Sequence, residues 1–323
     1  MTENGSIYTA RRKNRVLNIV LRLSITGLCF GMLFQAIEPV ELWRYLSDVE
    51  IPSLAIAVLL HSLIVVLLGW RWRCILKVMG TDCRLAAAVD MTFVATFFNL
   101  VLPFSIGGDL YRMWLSRRIG INMADTVPGT VMDRLAGLIA LGLMVLFTAA
   151  ALPEDAVPWE VRTLMIVLLP AMMASTWLFV GLLPRLRLKW GTIRHVSAAC
   201  DKLRAAYERR QDVLAILCQS LAAHLLAVAI VVAIADGLAL NLGVADAFLL
   251  VPAMLLSTML PISLGGWGVR EAVAIPLLAL AGVSASGAIT LALLFGVTQI
   301  VAGATGTLYF FWTSTTRERQ TFP

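Results

Sequence analysis

Six stretches of this sequence are each mostly apolar over about the length of a bilayer crossing. They are Val16–Ile37, Ile51–Trp70, Val127–Leu152, Val161–Leu183, Val213–Ala235 and Ala288–Trp312. A helix rising 1.5 Å per residue needs about 20 residues to cross about 30 Å of hydrocarbon. Inside lipid the backbone must satisfy its own hydrogen bonds, so uninterrupted runs of this length are helices. Charge agrees with that reading. Only 14% of the residues are charged, against about 25% in soluble domains. The chain lacks the polar surface of a soluble protein, which excludes a nucleic-acid-binding domain, a secreted disulfide scaffold and a disordered chain. The five cysteines (Cys29, Cys74, Cys83, Cys200, Cys218) are odd in number and form no CxxC pair, so neither a disulfide framework nor a zinc site is expected. The expected fold class is all-α, a polytopic helical membrane protein, with residues 1–323 forming a single integral membrane domain.

The first run follows Arg11, Arg12, Lys13 and Arg15, as in a signal peptide. It is long enough to span and no A-x-A site closes it, so it reads as a retained signal anchor. Two further apolar regions, Leu85–Arg118 and Ala247–Val283, are broken near the middle by Pro and Gly-Gly. The loops then set the orientation. Of the 26 Lys and Arg, 22 lie in the N-terminal segment to Arg22, in 71–84, 109–125 and 184–212, and in the tail. The loops 38–50, 153–162 and 236–246 carry mostly Asp and Glu. Basic loops face the cytoplasm. Both termini and the basic loop 184–212 are therefore expected to be cytoplasmic. About six full spans fit if each broken region enters and leaves on one side, as a re-entrant helix pair. Full crossing of the first would put Arg112, Arg117 and Arg118 outside; the second also fits two tilted spans.

The two breaks resemble each other. Leu102–Arg112 reads LPFSIGGDLYR and Leu260–Arg270 reads LPISLGGWGVR, at an offset of 158. The same offset carries 51–70 and 127–150 onto the later spans. Repeat 1 is expected at about 51–152 and repeat 2 at about 209–312. With the orientation above they form an inverted-topology repeat, as in many secondary transporters.

Irregular backbone at membrane depth is tolerated only inside protein or beside a watery cavity. Gly107, Gly108, Gly265 and Gly266 permit a tight bend. A helix follows each pair, so a positive helix end is expected at each break. Arg112 and Arg270 follow four residues after the second glycine, one turn into that helix, and a helix start with an Arg fork suits a phosphate. Local pairing is the plainer reading: Asp109 with Arg112 by an i,i+3 contact, and Glu271 beside Arg270. Asp133, Arg134 and Asp90 also lie at depth, where ionisable residues are costly; Asp133 and Arg134 are also expected to pair as a helix lock. His61 and His224 lie in spans, where interhelical hydrogen bonding explains them better than a proton relay. Trp70-Arg71-Trp72-Arg73, at a span end, reads as an aromatic belt with snorkelling arginines.

At these motifs the sequence resembles a known family, the lysylphosphatidylglycerol synthase transmembrane region, also called flippase-like or UPF0104. The carrying residues are the Trp-Arg run at 70–73, Asn99 with LPFSIGGDLYR, Val131-Met132-Asp133-Arg134 with Gly137, and LPISLGGWGVREA. The likeness covers roughly residues 15–312. It implies translocation of an aminoacylated or related phospholipid. In bifunctional relatives a separate soluble domain makes that lipid; this sequence ends at Pro323 soon after its last span. The resemblance therefore argues against aminoacyl transfer, so the chain is not expected to be an enzyme.

The expectation is a lipid flippase or transporter of the bacterial inner membrane. Its substrate contacts would come from Arg112, Arg270, Gly107, Gly108, Gly265 and Gly266. Asp109, Asp133, Arg134 and Glu271 would be ion-pair partners. No catalytic residue, metal or cofactor is expected. The expected partners are membrane lipids and no nucleic acid, with a homo-oligomer or a separate lipid-biosynthetic enzyme as further candidates. The rival readings are a membrane-embedded enzyme of lipid or polyprenol-glycan assembly, with Asp109 or Asp133 as base or metal ligand, and a non-catalytic subunit anchoring a biosynthetic complex.

Overall fold

The structure, a computed structural model, describes residues 39–102, 107–151, 209–259 and 266–320, with a few isolated residues elsewhere. The described residues form nine helices and no strand. These are α1 (Pro39–Asp48), α2 (Ile51–Val78), α3 (Leu85–Val101), α4 (Gly107–Arg118), α5 (Met123–Ala151), α6 (Arg210–Gly237), α7 (Val244–Met259), α8 (Val269–Ala279) and α9 (Ala285–Gln320). The expected spans Val16–Ile37 and Val161–Leu183, and most of the 184–212 loop, lie outside the described residues.

Among the described residues four helices are long and apolar enough to cross a membrane: Ile51–Val78, Met123–Thr148, Arg210–Gly237 and Ala285–Trp312. The fold is that of a polytopic helical membrane protein. Helix α2 continues beyond Trp70 to Val78, because nothing in WRWRCILKV disfavours a helix. The segment 38–50, expected as a plain loop, contains α1, which opens on Pro39 with Glu41 in its first turn; both suit a helix start. On α2, Ile56, Leu59, Leu63 and Val66 are exposed. Their spacing of three and four places them on one stripe. Such a stripe is a liability in water and an ordinary surface against acyl chains.

Helices α2 and α6 pack antiparallel. At one end the Glu50 N–H donates to the Gly237 carbonyl at 3.0 Å. At the other, the Gln219 amide donates to Cys74 Sγ at 3.8 Å. Small residues bring the backbones together, as is usual between membrane helices. Gly237 faces Ser53, Gly69 faces Val89 of α3, and Gly303 and Gly306 of α9 face Phe97 and Phe93 of α3.

The broken regions are helix hairpins. Helix α3 has 17 residues and α4 has 12, lengths of about 25 and 18 Å, each short of the hydrocarbon thickness. At the C-terminal end of α2, Trp72, Ile75 and Met79 pack with Ala88 from the start of α3 and with Leu115 and Ile121 from the end of α4 and just beyond. The first hairpin therefore opens at that end of the molecule. The second opens at the opposite end, where Leu238, Leu242, Ala247, Leu278 and Ala288 share a cluster. The order long, short, short, long occurs twice, and each later helix starts within four residues of the offset of 158.

Candidate functional site

The site begins at the close approach of α4 to α3. A Cβ at Gly108 would lie 2.7 Å from the Ala95 carbonyl carbon and 2.8 Å from Asn99 Cγ, so only glycine fits. The Gly108 N–H donates to Asn99 Oδ1 at 2.9 Å. This pins the helix start and places Asp109 and Arg112 in the protein interior, 5% and 3% exposed.

An ionic network grows from there. Asp133 of α5 accepts from Arg71 Nε at 2.9 Å through Oδ1 and from Arg112 Nη2 at 3.0 Å through Oδ2. Asp109 accepts from the same Arg112 Nη2 at 3.3 Å and from Arg134 Nε at 3.0 Å. Arg71 Nη1 also donates to Ser220 Oγ of α6 at 2.8 Å. The Arg112 guanidinium lies 4.0 Å from the Trp72 ring centroid, a cation–π contact that helps a buried charge. The network thus ties α2, α4 and α5 to α6.

The second hairpin contributes Arg270. Gly266 and Gly268 have φ of +84° and +85°, a backbone region that favours glycine. Gly268 caps α8, and its N–H donates to Glu271 Oε2 at 2.6 Å. The other oxygen, Oε1, accepts from Arg270 Nε at 3.1 Å and Nη2 at 2.6 Å. Arg270 lies over Trp267, 4.8 Å from its centroid, and against Gly296, where any side chain would collide with it. Both Arg270 and Glu271 are fully buried.

Both halves face one cavity of about 300 Å³, lined by Arg71, Arg112, Arg134 and Arg270, by Asp109 and Asp133, and by His61, His224 and several neutral polar side chains. With Glu271 behind Arg270, four guanidinium groups meet three carboxylates. Among the described residues this leaves one surplus positive charge in a poorly polarisable surrounding, which favours an anion.

Several expectations change. Arg71 and Trp72 are not an interfacial belt: Arg71 is 6% exposed and Trp72 is fully buried. Arg71 and Arg73 are two residues apart, hence about 200° around a helix, so both cannot face outward. Arg73 is the outward one and pairs with Asp82 in the α2–α3 connection. That two-residue spacing was the available signal for Arg71; nothing pointed to Ser220, which lies far away in the sequence. Asp133 and Arg134 do not pair with each other. Neighbouring helical residues diverge by about 100°, so Asp133 turns to Arg71 and Arg112 while Arg134 turns to Asp109. The two helix starts do not offer all their N–H groups, since Asn99 and Glu271 cap Gly108 and Gly268. Arg270 is the second residue of α8 rather than one turn in. The local contacts Asp109–Arg112 and Arg270–Glu271 are both present. Gly107 opens α4, and Gly265 lies outside the described residues. Asp90 does not line the cavity.

Fold and site together define a polytopic helical membrane protein with a buried ionic cluster between two helix breaks. Residues 19–306 match the family described as the lysylphosphatidylglycerol synthase TM region, and the chain belongs to that family. A search of the curated proteins finds no match.

Proposed function

We propose that the protein moves an anionic or aminoacylated phospholipid, or a related lipid, between the leaflets of a bacterial inner membrane. The observation that carries this reading is one cavity shared by both hairpins, with surplus positive charge among the described residues, where the hairpins open toward opposite ends of the molecule. Each hairpin is a re-entrant pair, and the halves 51–152 and 209–312 form an inverted-topology repeat. That arrangement suits alternating access, in which one half rocks against the other around a fixed site. Arg112 is shared by Asp109 and Asp133, so an incoming phosphate replaces one carboxylate partner without leaving a buried guanidinium bare. The basic loops and both termini face the cytoplasm. In this reading the chain acts as a transporter, with a second copy of itself or a separate lipid-biosynthetic enzyme as the further candidate partner.

The test is translocation of a fluorescent phosphatidylglycerol in proteoliposomes holding the full chain, read by quenching of the outer leaflet. Transport above protein-free vesicles is expected, with large losses in Arg112→Ala and Arg270→Ala. Wild-type rates in both variants would remove those arginines from the site, and no transport of any phospholipid would refute the function.

A further inference from the structure

We infer that the cavity selects a phosphodiester headgroup bearing neutral hydroxyl groups, of the glycerol or sugar kind, and rejects headgroups bearing an ammonium. The inference rests on the cavity being the headgroup site of the transport reading, and within that reading it keeps the anionic lipid and drops the aminoacylated one.

The carboxylates speak against an ammonium. Asp109 is held by Arg112 and Arg134, Asp133 by Arg71 and Arg112, and Glu271 by Arg270 and the Gly268 N–H. A lysyl or ethanolamine nitrogen would enter a cavity with surplus positive charge and find each acid already engaged. The guanidinium groups instead present donors suited to phosphate oxygens.

His61 specifies the rest of the headgroup. Its Nδ1 lies 3.1 Å from the Ala57 carbonyl oxygen, which can only accept, and 3.4 Å from Thr298 Oγ1, whose own proton goes to the Leu294 carbonyl at 2.8 Å, so Nδ1 carries the ring proton. Nε2 is then an acceptor. Nε2 is buried without a hydrogen-bond partner among the described residues, in a side chain 2% exposed that lines the cavity. A buried acceptor left without a donor is costly, so it marks a place for a ligand's donor. That donor is neutral, because Arg270 is close by: both it and His61 pack on Phe295, at 5.8 and 4.8 Å from its centroid. Two further lining hydroxyls point the same way. Thr92 Oγ1 donates to the Ala88 carbonyl and Thr258 Oγ1 to the Leu255 carbonyl, so each oxygen is left to accept. Acceptors for hydroxyls thus stand beside cations for a phosphate. A cavity of about 300 Å³ holds a small headgroup and excludes acyl chains.

The test measures binding of short-chain lipids to the full chain in detergent, followed by tryptophan fluorescence, since Trp72 and Trp267 border the arginines. Phosphatidylglycerol is compared with phosphatidylmethanol, which has the same charge and no hydroxyl, and with phosphatidylethanolamine and lysylphosphatidylglycerol. Phosphatidylglycerol is expected to bind about tenfold tighter than each, the worth of about one well-made hydrogen bond. His61→Phe keeps the ring packing, and should lower phosphatidylglycerol to the phosphatidylmethanol level while leaving phosphatidylmethanol unchanged; a damaged fold would weaken both. If that variant fails to fold, the wild-type comparison decides alone. Equal binding of phosphatidylglycerol and phosphatidylmethanol, or tight binding of either amine lipid, overturns the inference. Free glycerophosphoglycerol binding as tightly as the lipid would overturn the lipid source and leave the headgroup chemistry standing. Selective binding with no transport in vesicles would overturn the transport reading alone, and transport with no headgroup preference would overturn this inference alone.

Discussion

Gly107 and Gly108 are adjacent, yet the structure assigns them very different tolerance to one added methyl group. At Gly107 a Cβ would meet the Leu102 side chain, with its nearest atom, Cδ1, at 2.9 Å. That is the far end of a rotatable side chain, and it can turn away; Leu102 Cβ, at 3.2 Å, has to give by only a few tenths of an ångström. At Gly108 the obstacles are the Ala95 backbone and the Asn99 side chain that caps the same residue, with the Ala95 carbonyl carbon at 2.7 Å and its oxygen nearer still. Real Cβ atoms essentially never come within 3.0 Å of a neighbour. The backbone of α3 cannot yield alone, because Phe93 and Phe97 on it are packed against Gly306 and Gly303. The start of α4 must therefore retreat by on the order of 1 Å, and overpacking of this kind costs about 1–3 kcal/mol. The same retreat stretches the 3.0 Å Arg112–Asp133 bond past the useful limit of about 3.5 Å. A misplacement of about 1 Å at a working site is worth up to about 100-fold in rate. Gly108→Ala should then unfold at clearly lower denaturant and lose most transport, while Gly107→Ala changes stability by less than about 1 kcal/mol. Unfolding in detergent, read by tryptophan fluorescence, and vesicle translocation measure the two effects. Equal behaviour of the two alanine variants would refute the argument, because it would mean that the α3–α4 approach does not hold the network in register.

Asp133→Leu should destabilise by about 3–5 kcal/mol by stranding two buried arginines, and Arg71→Met in the same chain should recover part of it; strict additivity in that double-mutant cycle would mean the two are not coupled. Gly296→Ala should destabilise by about 1–3 kcal/mol, since its Cβ would lie 2.7 Å from the Trp267 ring and collide with Arg270; an unchanged unfolding midpoint would contradict the packing. In the α2–α3 connection, burial, aided by the Asp82 carboxylate, pushes the Cys83 thiol up. Burial and a negative neighbour both disfavour thiolate, so maleimide labelling of a variant with Cys83 as its sole cysteine should reach half its maximal rate above about pH 8.5, the ordinary thiol value. It should also occur from the cytoplasmic side; a midpoint at or below that pH removes the burial argument, and labelling from the other side inverts the proposed orientation.

The long helices were legible in the sequence because their physics is local. A run of about 20 apolar residues has few alternatives in a bilayer, and the Gly-Gly breaks mark where such a run cannot continue. Helix ends were less legible: α2 runs on to Val78 and α5 starts at Met123, since polar residues beyond the apolar window still favour a helix. The acids and arginines of the site were recognisable one by one, because charge at membrane depth is rare. Their partners were not. Proximity in sequence suggested Asp133 with Arg134, and the 100° turn between them separates the two side chains.

The chain by itself therefore determined the class of fold, the places of its breaks and most of the charged groups in its interior, all through hydrophobicity and backbone chemistry acting over a few turns. Tertiary structure decided that Arg71 belongs to the interior, that Asp133 joins α2 to α4, and that Arg112 and Arg270, one from each hairpin, line one cavity rather than two separate sites. Those facts depend on the antiparallel packing of α2 against α6 and on the close contact at Gly108. They join residues such as Arg112 and Asp133, 21 positions apart, Arg71 and Asp133, 62 apart, and Arg71 and Ser220, 149 apart, distances over which no local pattern carries information.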